Sequence, residues 1–422
     1  MSHCDFPGQF TCRDGGCVDI FKRCNIRNDC DDGSDEDGCK TLKVPSNYDV
    51  SIPPELGVDE DRPNEIYTHV EVINVDEVST VKMSIGLTVR ITFKWRDPNV
   101  EFENIKNHEN DRETRMIPAE EKDMLWTPLP KLIHDNAMIG EVKVIDFFNF
   151  GIDIDNEAKP MDSTLSEETQ IYPGDENTLV ISQRMRLNYR CNFFLVDFPF
   201  DETVCDFYLS LRLSRNNSIR MTNDENSVTY EGPKTLNEFK IVEIWSRTVL
   251  NQTKTTFVYS MKFKRLSEQY LMTIFFQSSI LWILSYITLF IDLTDFSNRF
   301  MGAVTALLVL AALLASLGDL LPKTAYFKFI DVWFNWFIAN ILVIILIHVV
   351  IDYLNKNVDN FDGKSRRVEG SALFRKNQGS VEERTPNSGS KLNTTLKILL
   401  PVLNMLFVCV YFIVSTNNHD EQ

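Results

Sequence analysis

Four stretches in the last third of the chain are long and apolar enough to cross a bilayer, and they constrain the fold more than any other feature. They run roughly over residues 270–291, 300–321, 332–353 and 396–416. A membrane-spanning helix needs about 20 predominantly apolar residues. The second stretch (MGAVTALLVLAALLASLGDLL) is nearly uninterrupted, whereas the first contains Gln277, Ser278 and Ser279 and the last contains Pro401 and Asn404. A buried globular helix would account for any one of them; four in succession predict a four-helix transmembrane bundle. The longest connection, 355–397, holds nine Lys or Arg against five Asp or Glu, and such a basic excess marks the cytoplasmic side. Four crossings then place both termini outside a plasma membrane. That connection (SRRVEG, NQGSVEERTPNSGS) is polar and poor in aromatics, the composition of a disordered loop.

The opposite end of the chain agrees with this orientation. Cys4, Cys12, Cys17, Cys24, Cys30 and Cys39 fall within the first 39 residues. So small a unit cannot bury enough apolar surface to fold alone, so the cysteines predict a disulfide scaffold made in an oxidising compartment. A secretory signal segment is therefore expected to have been removed ahead of it. The net charge of −17 is carried by residues 1–269, with 48 acidic against 31 basic. An acidic outer region argues against nucleic acid as a partner and concentrates cations, although plain solubility explains it equally well.

Between these ends lie alternating runs (THVEVINV, SIGLTVRITFKW, LVISQRMRLNY, CDFYLSLRL, TFVYSMKFKR) separated by Pro, Gly, Asn and Asp. Many short strands with turn signals between them predict an antiparallel β-sandwich. Glycan acceptors stand at Asn216 and Asn251; Asn393 also fits the pattern, but on the cytoplasmic side it is expected to be unused. The expected organisation is a cysteine-rich module (1–40), an extracellular sandwich (41–269), three spans (270–353), a cytoplasmic loop (354–395), a fourth span (396–416) and an outer tail (417–422).

The segment CDFPGQFTCRDGGCVDIFKRCNIRNDCDDGSDEDGC resembles the low-density-lipoprotein-receptor class A repeat along its full length, with all six cysteines, Phe10 and the acidic ending in place. Sequence alone leaves the connectivity open. The resemblance implies bridges Cys4–Cys17, Cys12–Cys30 and Cys24–Cys39. It also implies one Ca²⁺ held by Asn25, Asp29, Asp35 and Glu36, with carbonyls from Lys22 and Arg27. Clustered carboxylates on a stapled loop suit an ion that takes about six to eight oxygen ligands. Asn25 stands where the family usually has Asp, which removes a charge and predicts weaker binding.

The second resemblance is carried by CNFFLVDFPFDETVC, where Cys191 and Cys205 enclose thirteen residues including Phe198-Pro199-Phe200-Asp201. It is similar to the Cys-loop pentameric ligand-gated ion channels over residues 41–416. Trp95-Arg96-Asp97-Pro98, Trp126-Thr127-Pro128, Lys264-Arg265, Leu321-Pro322 and the 22 residues between Arg299 and Pro322 support it. The resemblance implies a homo- or heteropentamer in which the 191–205 loop works as a lever on the connection between the second and third spans. Pro199 and Phe200 are expected to press on residues 321–326, Pro322 among them, and Asp201 to pair with Arg265.

The second span is apolar all round, so periodicity cannot choose its pore face. Alignment from Arg299 implies a lining of Asn298, Met301, Thr305, Leu308, Ala312, Ala315 and Asp319, with Leu308 as a hydrophobic ring and Asp319 as an acidic one. For Ala312 and Ala315, close helix packing by small residues is the alternative. Asn298 stands where cation-selective relatives usually have Glu, and Ser297-Asn298 stands where anion-selective ones usually have Pro-Ala. Asp319, Asp295 and the acidic outer region favour cations.

An aromatic cage for an amine is not expected, because LPKLIHDNAM after Trp126 and LSLRLSRNNSIRM after Cys205 lack the usual aromatics. Trp245, Phe257 and Tyr259 flank the expected capping loop (246–257) and are candidates either for an unknown small-molecule agonist or for strand core. The first span lacks the family's usual proline near Gln277, which predicts altered helix packing there. Cys409 is expected as a buried free thiol. No nucleophile–base motif, zinc spacing or phosphate loop suggests an enzyme. Alternatives to a conducting channel are an accessory subunit and a non-conducting binding or adhesion receptor, with the N-terminal module recruiting an extracellular protein partner.

Overall fold

The computed structural model describes residues 4, 8–54, 64–103, 115–138, 140–146, 149–153, 159–160, 170–212, 219–223, 226–251, 254–368 and 388–417. Alternation dictates the extracellular region. The strands Asn64–Ser79, Ser84–Trp95 and Thr178–Arg190 lie side by side, antiparallel, in an eight-stranded sheet. Every second residue of the central strand (Ile85, Leu87, Val89, Ile91, Phe93, Trp95) is buried, as are its cross-strand partners Leu179, Ile181, Leu187 and Tyr189.

A four-stranded sheet faces it, made of Phe239–Asn251, Lys254–Arg265, Glu202–Leu211 and Leu132–His134. Its inner face supplies Phe207, Leu209, Phe257, Tyr259, Met261 and Phe263. Aromatic contacts join the two sheets: Tyr189 lies 4.9 Å from Phe207 and 6.3 Å from Tyr259. Such pairs contribute about 0.5–1.5 kcal/mol beyond their buried area. The sandwich departs from the expected antiparallel plan at one edge, where Ile219–Thr222 and Val228–Tyr230 run parallel to Asn64–Ser79.

The two tryptophan motifs pin the N-terminal side of the sandwich. Trp95 and Trp126 meet edge to face at 5.9 Å inside the core. Asp97 is fully buried; it accepts the Tyr48 hydroxyl at 2.7 Å, and Tyr48 in turn accepts the Trp126 N–H at 3.1 Å. Gly174 is required there, because a Cβ would lie 2.2 Å from the Asp97 carbonyl oxygen. The class A module has its own small core of Phe10, Cys12 and Cys30 around the hairpin of Gln9–Thr11 and Cys17–Asp19. Its bridges are Cys4–Cys17, Cys12–Cys30 and Cys24–Cys39.

Four helices are long and apolar enough to span a membrane: Glu268–Phe290, Phe296–Gly318, Phe329–Lys356 and Gly389–Ser415. Trp333 of the third span is their hub, with rings of Phe275, Phe337, Phe407, Tyr411 and Phe412 within 4.7–6.1 Å of it. The missing proline of the first span is answered by a π-helical turn at Leu271–Phe275. Such a turn leaves carbonyls short of partners. Ser278 Oγ reaches the Ile274 carbonyl at 2.8 Å and Ser279 Oγ the Phe275 carbonyl at 2.7 Å. Trp333 Nε1 then donates to Ser278 Oγ at 2.8 Å, so the third span fastens the irregular turn.

Two expectations are corrected. The loop expected to be disordered from its start begins as helix, since the third helix continues to Val368 and the fourth begins at Ser388. A polar sequence stays helical where it continues an established helix, because each added residue gains a bond without a new nucleation step; Lys356 also reaches back to Asp352 at 2.8 Å. Cys409 is free as expected but exposed rather than buried, on the outer face of the fourth span.

Candidate functional site

The loop closed by Cys191–Cys205, whose Cα atoms lie 5.4 Å apart, sits where the sandwich meets the helices. At its end Asp201 forms a two-pronged ion pair with Arg265, Nε to Oδ1 at 2.7 Å and Nη2 to Oδ2 at 3.2 Å. Both side chains are only 1 % exposed. The guanidinium lies over Phe239 at 4.4 Å and Phe198 at 5.0 Å, and Glu238 reaches its third nitrogen at 3.5 Å. A paired, planar cation between aromatic faces is the arrangement that makes a buried charge tolerable. Arg265 is also the last residue of its strand, three residues before the first span begins at Glu268, so the pair ties loop and sheet beside the entry to that helix.

Residues 194–196 of the loop meet the connection between the second and third spans. The Tyr326 hydroxyl accepts the Leu195 N–H at 3.1 Å, Phe194 packs on Tyr326 at 5.3 Å, and the Phe329 N–H donates to the Val196 carbonyl at 2.7 Å. Phe200 turns its ring to Phe275 of the first span and Phe412 of the fourth, at 6.3 and 6.4 Å. The turn at the loop's tip is the cause: Phe200 N–H bonds back to Asp197 C=O at 2.7 Å, so the arm before Pro199 runs beside 326–329 and the arm after it faces the helix bundle. Pro322 is half-buried just past the end of the second helix, where it cannot continue the helical bonding.

On the second span, Arg299, Ala303, Ala306, Leu310 and Leu317 are buried against the bundle. Asn298, Met301, Thr305, Leu308, Ala312 and Ala315 all lie exposed in one stripe, Leu308 at 69 %. Their spacing of three and four residues keeps them on one helical face. The Thr305 hydroxyl is committed to the Met301 carbonyl at 2.8 Å. Asp295 caps the start of this helix, accepting both the Asn298 N–H at 3.3 Å and its side-chain amide at 2.5 Å. The side chain of Asp319 lies outside the described residues.

The three aromatic candidates for an agonist pocket do not come together. Phe257 and Tyr259 are wholly buried in the sandwich core, and Trp245 is half-buried. Beside that core, His134 Nδ1 lies 2.9 Å from the Tyr189 hydroxyl. Burial pushes the His134 imidazole down to about 4, with Asp135 pulling weakly the other way. The unfolded chain takes up that proton near about 6.5. The stability His134 contributes is therefore complete above that value, falls as the pH is lowered, and is lost below about 4. Thermal unfolding scanned from pH 7 to 4.5 should show a falling midpoint, by at most about 1.4 kcal/mol per pH unit, and His134→Gln should flatten that slope.

Asn216 falls outside the described residues. Asn251 ends a strand, opposite Lys254, at the tip of a hairpin. Asn393 is buried against Arg299 and Leu289, with no room for a glycan.

In the N-terminal module the proposed calcium ligands are neighbours. Asn25 Nδ2 donates to Asp29 Oδ2 at 2.8 Å, the Asn25 N–H to Glu36 Oε1 at 2.7 Å, and the Asp29 N–H to Asp35 Oδ2 at 2.7 Å. Asp35 is fully buried, and its Oδ1 has no hydrogen-bond partner. A buried carboxylate oxygen without a donor is costly unless a cation meets it. Among the described residues no three carboxylates converge in a metal-binding cluster, and the Lys22 ammonium lies 3.0 Å from Asp29 Oδ1. The donor set of Asn25, Asp29, Asp35 and Glu36 fits a hard cation.

Two family comparisons match this chain. The neurotransmitter-gated ion-channel ligand binding domain matches residues 40–277, more than half of the chain. The low-density lipoprotein receptor domain class A matches residues 2–39. The chain belongs to the neurotransmitter-gated ion-channel family and carries a class A module at its N-terminal end. Together with four membrane-capable helices, this makes it a subunit of a ligand-gated channel, a class built as oligomers.

Proposed function

We propose that this chain is a pentamer-forming subunit whose second span lines a cation-conducting pore, gated by a small molecule that binds the sandwich. The observation that carries the reading is the exposed stripe Asn298, Met301, Thr305, Leu308, Ala312 and Ala315, opposite a buried stripe on the same helix. An apolar helix that leaves such a line uncovered within its own subunit presents it to a pore or to its neighbours. Asp295 at the start of that helix, Asp319 near its end and the acidic outer region support cations over anions. Asp201 and Arg265 hold the junction through which binding is transmitted, and residues 194–196 carry the push to Tyr326 and Phe329. Both termini lie outside the plasma membrane in this reading.

The N-terminal module binds Ca²⁺ through Asn25, Asp29, Asp35 and Glu36 with the carbonyls of Lys22 and Arg27, and offers a surface to an extracellular protein. The ion would supply the positive charge that Asp35 Oδ1 lacks and hold the loop rigid. Because Lys22 competes for Asp29 and Asn25 brings no charge, Asn25→Asp should tighten calcium binding about tenfold. Calcium titration of the intact chain, read by resistance of the module to proteolysis, tests this; a weaker or unchanged midpoint would remove Asn25 from the ligand set.

The pore reading is tested by expressing the chain alone in oocytes and recording while transmitters, pH and divalent ions are screened, with surface labelling as control. A gated current reversing near the cation equilibrium supports it. One that follows chloride overturns the selectivity, and silence at full surface yield points to a partner subunit or a non-conducting receptor.

A further inference from the structure

At the cytoplasmic start of the second span, Arg299 does not face the exposed stripe. Its side chain is 2 % exposed and turned into the bundle. There Nη2 donates to Asn393 Oδ1 of the fourth helix at 2.8 Å, and Nε donates to the Thr288 carbonyl at 3.3 Å. Asn393 is itself held, because its Nδ2 donates to the Leu289 carbonyl at 3.1 Å. Thr288 is fixed from the third helix, where His348 Nε2 lies 2.8 Å from its hydroxyl. The Tyr286 hydroxyl adds a bond to the Lys397 carbonyl at 2.8 Å, so the first and fourth helices are joined at the same level. Directly beside Arg299 on the exposed side stand Asn298 and its partner Asp295.

From this arrangement we infer that Asn393 is a positioning residue for ion selectivity: it holds the Arg299 guanidinium inside each subunit, so that the inner mouth presents Asp295 and Asn298 instead of a ring of positive charge. The inference rests on the pore reading above. Each oxygen that accepts a hydrogen bond from the Arg299 guanidinium is neutral, an amide and a backbone carbonyl, and Asp292 acts on it only through space, so these bonds rather than an ion pair fix where the cation sits. Asn393 has the needed chemistry because its amide accepts from the guanidinium with one end and donates to the first span with the other. An apolar side chain there leaves Nη2 without its acceptor in a water-poor setting. The nearest relief for an arginine is to extend its stem toward water, which here means the pore mouth one residue away. A cation ring at a narrow mouth repels cations and concentrates anions.

The test uses the whole channel in a Leu308→Ser background, chosen to give current without an agonist, and measures reversal potential after dilution of external NaCl. Asn393→Leu should lower the cation-to-anion permeability ratio by about threefold or more, whereas Asn393→Gln should retain it. Adding Arg299→Gln to Asn393→Leu should restore the ratio, a rescue that general damage to the bundle would not produce. A ratio unchanged in Asn393→Leu, or a change that Arg299→Gln fails to reverse, overturns the role of Asn393 and leaves the pore reading standing. Absence of current from Leu308→Ser at full surface yield overturns the pore reading and this inference with it.

Discussion

Replacing Asp201 by alanine should destabilise the protein by about 3–5 kcal/mol, because it leaves the Arg265 guanidinium buried with no carboxylate facing it directly. Only Glu238, at 3.5 Å and on a side chain 55 % exposed, remains nearby, and its solvated carboxylate is a poor substitute. Arg265→Ala should cost a similar amount by stranding Asp201, whose oxygens would keep only what the backbone offers. The informative variant is the double one. Asp201→Leu with Arg265→Met removes both charges and keeps apolar volume between Phe198, Phe239 and Tyr270, and buried pairs replaced in this way are often close to neutral. It should therefore lose less than either single variant, a strong departure from additivity of the kind expected for groups in contact. Thermal unfolding of the purified full chain reads the stability, and surface labelling reads the yield. Additive losses, or a loss below about 1 kcal/mol in Asp201→Ala, would mean that the pair is not the fastening its geometry suggests.

The same comparison separates stability from signalling. If the pair only holds the domains together, the double variant should gate normally once it reaches the surface. If its charges also transmit binding, the double variant should fold and open poorly. The geometry favours the second outcome, since Arg265 is covalently continuous with the first span while Asp201 sits at the end of the loop that meets Tyr326 and Phe329.

What could be read in the sequence follows the range of the interactions concerned. Strands are legible because alternation is local: SIGLTVRITFKW separates the face of Ile85, Leu87, Val89, Ile91, Phe93 and Trp95 from the other. The same alternation does not say which face turns inward until a second sheet covers it, which is why Phe257 and Tyr259 could be either pocket or core and prove to be core. The arm of the 191–205 loop that touches the third span depends on a turn closed by the Asp197 carbonyl, and residue types do not reveal that turn. The second span had no usable periodicity; its two faces appear only when Ala303, Ala306 and Leu310 are seen packed against the other helices. The absent proline near Gln277 suggested a disturbed first span, but the serines that support its π-helical turn were present in the sequence as Ser278 and Ser279. Their role depends on Trp333, 55 residues away, and that distance hides it from a local reading.

Leu308→Ser should open the channel in the absence of any agonist. Leu308 is 69 % exposed within the subunit, so the substitution removes no packing from the fold and the protein should reach the surface normally. Its effect belongs to the assembled pore, where a ring of leucines closes the path by excluding water. Burying a leucine side chain against its equivalents is worth about 1.5–3 kcal/mol, and serine forfeits most of that while its hydroxyl holds water in the constriction. The substitution occurs in every subunit at once, so about 1.1 kcal/mol apiece over five subunits gives the roughly 5.5 kcal/mol that moves a two-state balance from mostly closed to mostly open. Leu307→Ser is the control: it introduces the same hydroxyl one residue back, about 100° around the helix, on a half-buried side chain off the stripe. A standing current in Leu308→Ser with little in Leu307→Ser places the gate on the exposed stripe. Equal effects in both would show that the second span merely tolerates polarity poorly, and a silent Leu308→Ser at normal surface density would overturn the pore reading itself.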